Sequence, residues 1–501
     1  MTTPLRQSTL GQLGTLRVPR FDRTTLEPNI VHLGVGGFHR AHQAAYLDDL
    51  LETPGTERWS EVGVGILPLD ARLHAALAAQ DGLYTLVERS ASAESARVVG
   101  SLLGHVQAPD DLEAALGLVV AERTRLVTLT ITEGGYFIDQ GSGRFQHDAP
   151  EIQRDLADPT APRTAIGFLV EACARRLAAR RPLFTVQSCD NVQHNGNVLR
   201  GAMLEFAGMR DPELAGRLAD LLVCPNSMVD RITPGTTDAD REHVAAAYGV
   251  GDAWPVMTEP FRQWVIEDRF ALGRPEWEAL GPSANILFAP DVAPYESLKM
   301  RLLNGSHLAL GYLGSLLGFD RVAQAMADPD LRALTAAYMA EVAVVTPEPA
   351  GIDQAAYCRQ LIERFSNPAL PDQIPRLASE GTAKVPKWTF PVAVDLLAAG
   401  RPSGLVALVV AAWIVASRRA TSDAGTALTY PDERGAWLRD LLSGTGDPAL
   451  ALLSEPTLAP AGLRGHPGFT AQVRGLVAEI EARGTRATIR AALAAAGSQA
   501  G

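Results

Sequence analysis

Ile30-Val31-His32-Leu33-Gly34-Val35-Gly36-Gly37-Phe38-His39-Arg40-Ala41-His42 is the stretch on which the fold turns. A short β-branched run leads into a glycine-rich turn, and helical periodicity follows over residues 41–51. Strand, tight turn and helix make the first unit of a dinucleotide-binding fold, in which the helix N-terminus meets the pyrophosphate. Gly34 and Gly36 fill the first two positions of G-x-G-x-x-G, while His39 stands at the third. Two readings fit: a cradle built from Gly34, Val35, Gly36, Gly37, Phe38, His39 and Arg40 around a dinucleotide, or a plain strand-to-helix turn.

Working outward, the next strand covers residues 60–66 and ends near Leu69-Asp70. An acidic residue at the end of a second strand binds the adenosine ribose hydroxyls. The Asp70 carboxylate would repel a 2′-phosphate, which favours NAD over NADP. Asp70 equally suits the N-cap of a helix beginning Ala71-Arg72-Leu73-His74, and Arg72 is a residue type that accepts phosphate.

Further strands are expected at residues 84–87, 98–103 and 126–132, the last β-branched and ending in Glu133-Gly134-Gly135-Tyr136. Ligands of open α/β sheets sit beyond the carboxyl ends of strands, so Glu133 faces a ligand or is a plain turn carboxylate. A helix over 162–181 and a strand over 184–189 follow, then Asp190-Asn191-Val192-Gln193-His194-Asn195-Gly196. Asn191 either caps that turn or donates from its amide. Residues 229–234 are strand-like with the adjacent charges Asp230 and Arg231, and 286–288 form a last short strand.

After about residue 290 alanine, leucine and helical spacing take over. Residues 1–290 therefore read as an extended Rossmann-type α/β domain and 291–501 as a mostly α-helical domain, with the active site expected in the cleft between them. Residues 1–29 read as a leader and 491–501 as a fraying end.

The second domain opens on Tyr295-Glu296-Ser297-Leu298-Lys299-Met300-Arg301-Leu302-Leu303-Asn304-Gly305-Ser306-His307, which reads as a helix. At about 100° per residue, with Lys299 at zero, Glu296 falls near about 60°, His307 near about 80° and Asn304 near about 140°. An amine, an imidazole, an amide and a carboxylate share one arc of a mostly apolar helix, which is either a reactive site or the wet side of an amphipathic helix. The Pro/Gly-broken basic segments around Arg376 and Lys384 read as a solvated loop or as cations that hold a polar substrate.

Hydrophobic residues make up 47% of the 501 positions and charged residues 20%, with a net charge of −12 and a pI of about 5.4. That balance is globular, and its acidity argues against nucleic acid or an anionic membrane as partner. Cys173, Cys189, Cys224 and Cys358 lie far apart, which suits buried thiols in a reducing compartment better than disulfides or a zinc site. Residues 405–416 are the longest apolar run, too short to span a bilayer. A cytoplasmic location is expected.

Together these stretches resemble the mannitol dehydrogenase family, the long-chain polyol-specific dehydrogenases and reductases. The shared features are Gly34-Val-Gly-Gly-Phe-His-Arg-Ala-His42, Thr132-Glu-Gly-Gly-Tyr136, Ser188-Cys-Asp-Asn191, Met228-Val-Asp-Arg-Ile-Thr-Pro234, Glu259-Pro-Phe-Arg-Gln-Trp264 and Lys299…Asn304…His307. The resemblance implies NAD-dependent, metal-independent interconversion of D-mannitol and D-fructose by a monomer. It implies Lys299 as general base, Asn191 and Asn304 as the pair holding the reacting oxygen, and His307 as a substrate-positioning group. Glu296 and Glu133 match carboxylates that relay or tune the proton. Asp230, Arg376 and Lys384 match substrate contacts. Leu69 departs from close relatives, which carry an acidic residue before the equivalent of Asp70. Hexuronate reductases of the family tend to have a lysine and a glutamate where this chain has Gly134 and His194, which favours a neutral polyol; D-arabinitol is an alternative substrate.

An amine with an ordinary pKa of about 10.4 is protonated at neutral pH, and burial in an apolar cleft would lower it enough to supply a base. Two amide donors on the oxygen would stabilise alkoxide character, so no metal is needed for that role.

Overall fold

The computed structural model describes residues 2–14, 16–139, 143–444 and 446–499. The chain divides into two compact units, Met1–Ala293 and Pro294–Gly501.

The first unit is organised by a five-stranded, all-parallel sheet. Its strands lie in the order Leu102–Gln107, Glu61–Gly65, Ile30–Leu33, Leu126–Leu129, Thr185–Ser188. Numbered along the chain that order is 3-2-1-4-5, the doubly wound arrangement whose order reverses beside the first strand. All residues of Ile30–Leu33, Leu126–Leu129 and Thr185–Ser188 are buried. Strands covered on both faces read as continuous β-branched and apolar runs, which is why they are visible in the sequence. Two smaller sheets flank this one. Val256–Thr258 runs parallel to Tyr84–Arg89, which pairs antiparallel with Glu94–Val99. Ile286–Ala289 runs parallel to Gln263–Glu267, which pairs antiparallel with Ser227–Asp230.

The described residues of 1–29, expected as a leader, pack into the first unit. Thr3–Pro4 pairs with Val250–Gly251, and Leu5, Leu13 and Leu16 are buried in a cluster with Val87, Val98 and Met257. The buried Arg23 donates to the carbonyls of Gly100, Asp81 and Leu102 at 2.7–2.9 Å. Leucines scattered among polar residues carry no period, so this packing escapes a sequence reading.

The second unit is helical around one continuous core in which Gly404–Arg418 is buried from Leu405 to Ala416. Three local expectations change here. The stretch from Tyr295 to His307 is not a uniform α-helix: Ala293–Leu298 is α-helical, Lys299–Asn304 is a π-helical turn, and Gly305–Leu317 returns to α. The basic segment is not a loop: Ile374–Ala378 and Gly381–Trp388 are helices, with Pro375 in the first turn of one and Pro386 inside the other. Of the end expected to fray, residues 491–499 continue the helix Thr485–Gln499, anchored by the buried Ile489, while 500 and 501 lie outside the described residues. All four cysteines are free thiols. Among the described residues no helix is long and apolar enough to cross a membrane.

Candidate active site

The glycine turn leaves the end of the first strand where the sheet order reverses. Gly34 has φ +84°, and a Cβ there would lie 2.2 Å from the Thr130 carbonyl oxygen at the end of the neighbouring strand. Only glycine fits that approach. Thr130 Oγ1 donates to Gly34 O at 2.7 Å, tying the two strand ends together. Gly36 precedes the short helix Gly37–Ala41. Val35 is buried in the core below the turn, and Phe38 stacks on His42 with centroids 4.9 Å apart.

His39 and Arg40 point inward, each 1% exposed. What they can offer a nucleotide is therefore their backbone. Arg40 donates to the carbonyls of Trp254 and Gly36 and lies over the Tyr84 ring. His39 stacks on His32 at 3.5 Å, and its Nε2 sits 3.2 Å from Glu61 Oε2. Gln43 Nε2 bridges Glu61 and Thr128 at 3.0 Å each, and Thr128 meets His32 Nδ1 at 2.7 Å. His32 Nε2 meets Thr130 Oγ1 at 3.0 Å, so this buried network ends on the group that holds Gly34. Burial pushes the Glu61 carboxyl up to about 7 and the His39 imidazole down to about 3. The sequence reading missed His32, Gln43, Glu61 and Thr128. Their partners lie on separate strands, and a lone glutamate within a strand gives no signal.

Asp70 ends the 3-10 turn Pro68–Asp70 after the second strand, and its Oδ2 accepts from Leu67 N–H at 3.0 Å. It makes no side-chain cap to the helix Ala71–Ala79.

Glu133 opens the turn Glu133–Tyr136, which follows Thr132 at φ 63°. Asp190 holds this conformation by accepting from Ile131 N–H at 3.0 Å, Thr132 N–H at 2.9 Å and the Tyr136 hydroxyl at 2.6 Å. Such a φ is costly for a β-branched residue and persists only when its surroundings enforce it. The clamp brings Glu133 and Asn191, the latter exposed directly after Asp190, to the ends of adjacent strands. Asn195 secures that end, donating to Ser227 O at 2.8 Å and Asp190 O at 3.0 Å. Asp190, Tyr136 and Asn195 were not picked out from the sequence as supporting residues.

Asp230 ends its strand buried, in register with Gln263. The adjacent Arg231 pairs with Glu88 and with the Glu259 carbonyl.

In the second unit Glu296, Lys299 and Asn304 are 2%, 7% and 4% exposed. The π-turn changes their geometry. An i→i+5 turn stacks residues five apart, and Gly305 N–H indeed reaches Met300 O. Lys299 and Asn304 are therefore closer round the helix than the expected ~140°. Glu296 lies three residues before Lys299 and His307 three after Asn304, so all four share one face. Gly305 makes room for the turn, since a Cβ there would lie 2.6 Å from the Tyr338 hydroxyl.

Burial, with Arg376, Arg364, Lys384 and Lys299 around it, holds the His307 imidazole well below its ordinary range. It is thus a neutral ring packed against Phe365 at 4.5 Å. Arg376 is held by both oxygens of Asp372 at 2.8 Å, and Lys384 lies 3.3 Å from Ser379 Oγ and over Trp388. Among the described residues, Asn304 Nδ2 and His307 Nε2 are buried with no hydrogen-bond partner. A buried polar atom without a partner is a place where a ligand or a water can complete the bonding. Among the described residues no group of three or more His, Cys, Asp or Glu is placed to hold a metal ion.

Residues 28–279 match the mannitol dehydrogenase Rossmann domain, and 291–481 match the mannitol dehydrogenase C-terminal domain. The chain is 40% identical over 489 residues to a mannitol 2-dehydrogenase of Phaeosphaeria nodorum, covering 97% of this chain and 85% of that protein. Among solved structures it resembles Pseudomonas fluorescens mannitol 2-dehydrogenase in ternary complex with NAD and D-mannitol. That match has 40% identity and a TM-score of 0.89, covering 98% of this chain and 99% of the other. A substrate-free D-sorbitol dehydrogenase matches at 34% identity and a TM-score of 0.84, covering 97% of this chain and 100% of the other. With the 3-2-1-4-5 sheet and the helical unit each matched by its own domain, in order and over most of the length, the chain belongs to the mannitol dehydrogenase family.

Proposed function

We propose that this protein is an NAD-dependent polyol dehydrogenase that interconverts D-mannitol and D-fructose, with Lys299 as general base and no metal in the reaction. The observation that carries the reading is the π-turn, which sets a buried amine and a buried, unpartnered amide on one helix face. The similarity to a protein described in complex with NAD and D-mannitol supports the choice of cofactor and substrate.

The glycine turn fits a dinucleotide, because Gly34 clears the backbone at the switch point where a pyrophosphate approaches. The backbone from Gly34 through Val35, Gly36, Gly37, Phe38, His39 to Arg40 would hold the pyrophosphate, and Asp70 the adenosine ribose. Glu133, at the end of the fourth strand, would face the cofactor too. When bound, NAD⁺ supplies the hydride acceptor.

Lys299 accepts the proton of the carbinol hydroxyl, which requires its amine to be neutral. The Asn191 and Asn304 amides donate to that same oxygen and stabilise its alkoxide character as hydride leaves the carbon. Glu296, buried one turn before Lys299, takes the proton onward. His307, neutral and unpartnered at Nε2, orients a second hydroxyl, and Asp230, Arg376 and Lys384 hold the rest of the polyol. In the reverse direction the protonated lysine returns its proton to the ketose oxygen. The reading makes the protein a monomer acting on a free polyol in the cytoplasm.

The test is a panel of D-mannitol, D-arabinitol, D-sorbitol, D-fructose and a ketouronate, followed at the nicotinamide absorbance with NAD(H). Fastest turnover on D-mannitol and D-fructose is expected. Reduction of the ketouronate with no turnover of either would overturn the substrate reading.

A further inference from the structure

His32 is fully buried in the first strand, two residues before Gly34, and the proposed mechanism gives it no part. Its ring nitrogens each meet a threonine hydroxyl, Nδ1 that of Thr128 at 2.7 Å and Nε2 that of Thr130 at 3.0 Å. Each hydroxyl has one proton to give, so the direction of every bond here can be assigned.

The assignment starts at the turn. Gly34 O can only accept, so the Thr130 hydroxyl donates its proton there, at 2.7 Å. Thr130 Oγ1 must then accept from His32 Nε2–H. Burial, with His39 stacked on the ring at 3.5 Å, holds the His32 imidazole well below its ordinary range, so the ring carries no second proton. Nδ1 is therefore an acceptor and takes the proton of Thr128. Thr128 Oγ1 in turn accepts from Gln43 Nε2 at 3.0 Å. Gln43 gives its other amide proton to Glu61 Oε2 at 3.0 Å, and its Oε1 accepts from Cys189 Sγ at 3.8 Å, which fixes the amide's orientation.

The bonds thus run one way, from Gln43 through Thr128, His32 and Thr130 to Gly34 O. Gly34 N–H is held separately, by Val64 O at 3.0 Å. The backbone of the sheet fixes one polar group of this glycine and a chain of side chains fixes the other. In the opposite tautomer, with its proton on Nδ1, the bare Nε2 would draw the Thr130 proton to itself and leave Gly34 O without that donor.

We propose that His32, as the Nε2–H tautomer, is a positioning residue for the dinucleotide: it points the Thr130 proton at Gly34 O and so holds the glycine turn in its binding shape. This rests on the dinucleotide reading given above. His32 acts through the turn and not by touching the ligand. With the chain cut, the turn samples other shapes, and the apparent affinity falls with the fraction that stays competent. Loss of one such bond to a buried acceptor corresponds to about 5- to 30-fold.

The experiment joins a spectroscopic and a binding measurement on the full-length protein. Long-range proton–nitrogen NMR, with the His32 signals assigned by their loss in His32→Phe or their shift in Thr130→Ser, should show Nε2 protonated and Nδ1 bare. In fluorescence titrations His32→Phe, which keeps a ring to stack on His39, and Thr130→Val should each raise the NADH dissociation constant about 5- to 30-fold. The double variant should bind no worse than the weaker single one, because both changes cut the same chain. Thr130→Ser, which retains the hydroxyl, should recover most of the affinity. A proton on Nδ1, additive losses in the double variant, or Thr130→Ser as weak as Thr130→Val overturns the inference, while NADH binding by the wild type leaves the dinucleotide reading standing. No NADH binding by the wild type overturns both.

Discussion

Lys299 and Asn304, five residues apart, come to one side of the helix because the backbone between them makes a π-turn. A regular α-helix would turn the amide about 140° away from the amine. The widened turn forgoes regular i→i+4 bonding and gains a shared face for two groups that the proposed chemistry needs on a single oxygen. Its neighbours reinforce this: Arg301, within the turn, is fixed by Val345 O and Asp395 at 2.7 Å each.

Removing the amide tests the shared face. Asn304→Ala should lower kcat by about 10²–10³-fold while KM for D-mannitol changes only a few-fold, because one transition-state donor is lost. Steady-state kinetics read this directly, and an effect confined to KM would assign Asn304 to ground-state binding.

Gly305→Ala should disturb the turn. The new methyl would start 2.6 Å from the fully buried Tyr338 hydroxyl, so one of them must move. Overpacking of this kind costs about 1–3 kcal/mol. The melting temperature and kcat should both fall, and Gly305→Ala combined with Tyr338→Phe should recover part of each. No recovery would place the strain elsewhere.

Glu61 makes stability depend on pH. Burial raises its carboxyl from the ordinary 4.5 to about 7, so over that interval the folded chain binds more protons than the unfolded one. Stability contributed by protonated Glu61 is fully present below about pH 4.5 and is lost as pH rises through about 7. The loss is at most about 3 kcal/mol. Glu61→Gln stays neutral throughout, so its urea midpoint should decline less between pH 5 and 8 than that of the wild type. Parallel declines would remove Glu61 as the source.

The architecture was legible because strands buried on both faces leave β-branched runs, and because Gly34 must be glycine. The candidate residues Glu296, Lys299, Asn304 and His307 could be gathered on one arc from the sequence, but not the turn that carries them. A wheel drawn at 3.6 residues per turn cannot anticipate a π-turn, and it spread Lys299 and Asn304 about 140° apart on that arc. The buried His32–His39–Glu61–Gln43 network was invisible for another reason: its members meet only once parallel strands distant in sequence lie side by side. Pro375 and Pro386 argued for a loop, yet one occupies a first helical turn and the other sits in a helix held by tertiary packing. The N-terminal segment shows the same limit, since Leu5, Leu13, Leu16 and Arg23 find partners only in the folded unit.

Lys299→Ala is the most direct measurement of the central claim, with oxidation of D-mannitol followed across pH and NADH binding followed by fluorescence in the same preparation. Loss of kcat by about 10²–10⁴-fold, with the NADH dissociation constant unchanged, is the predicted result for removal of a general base. Wild-type turnover in that variant at every pH would contradict it.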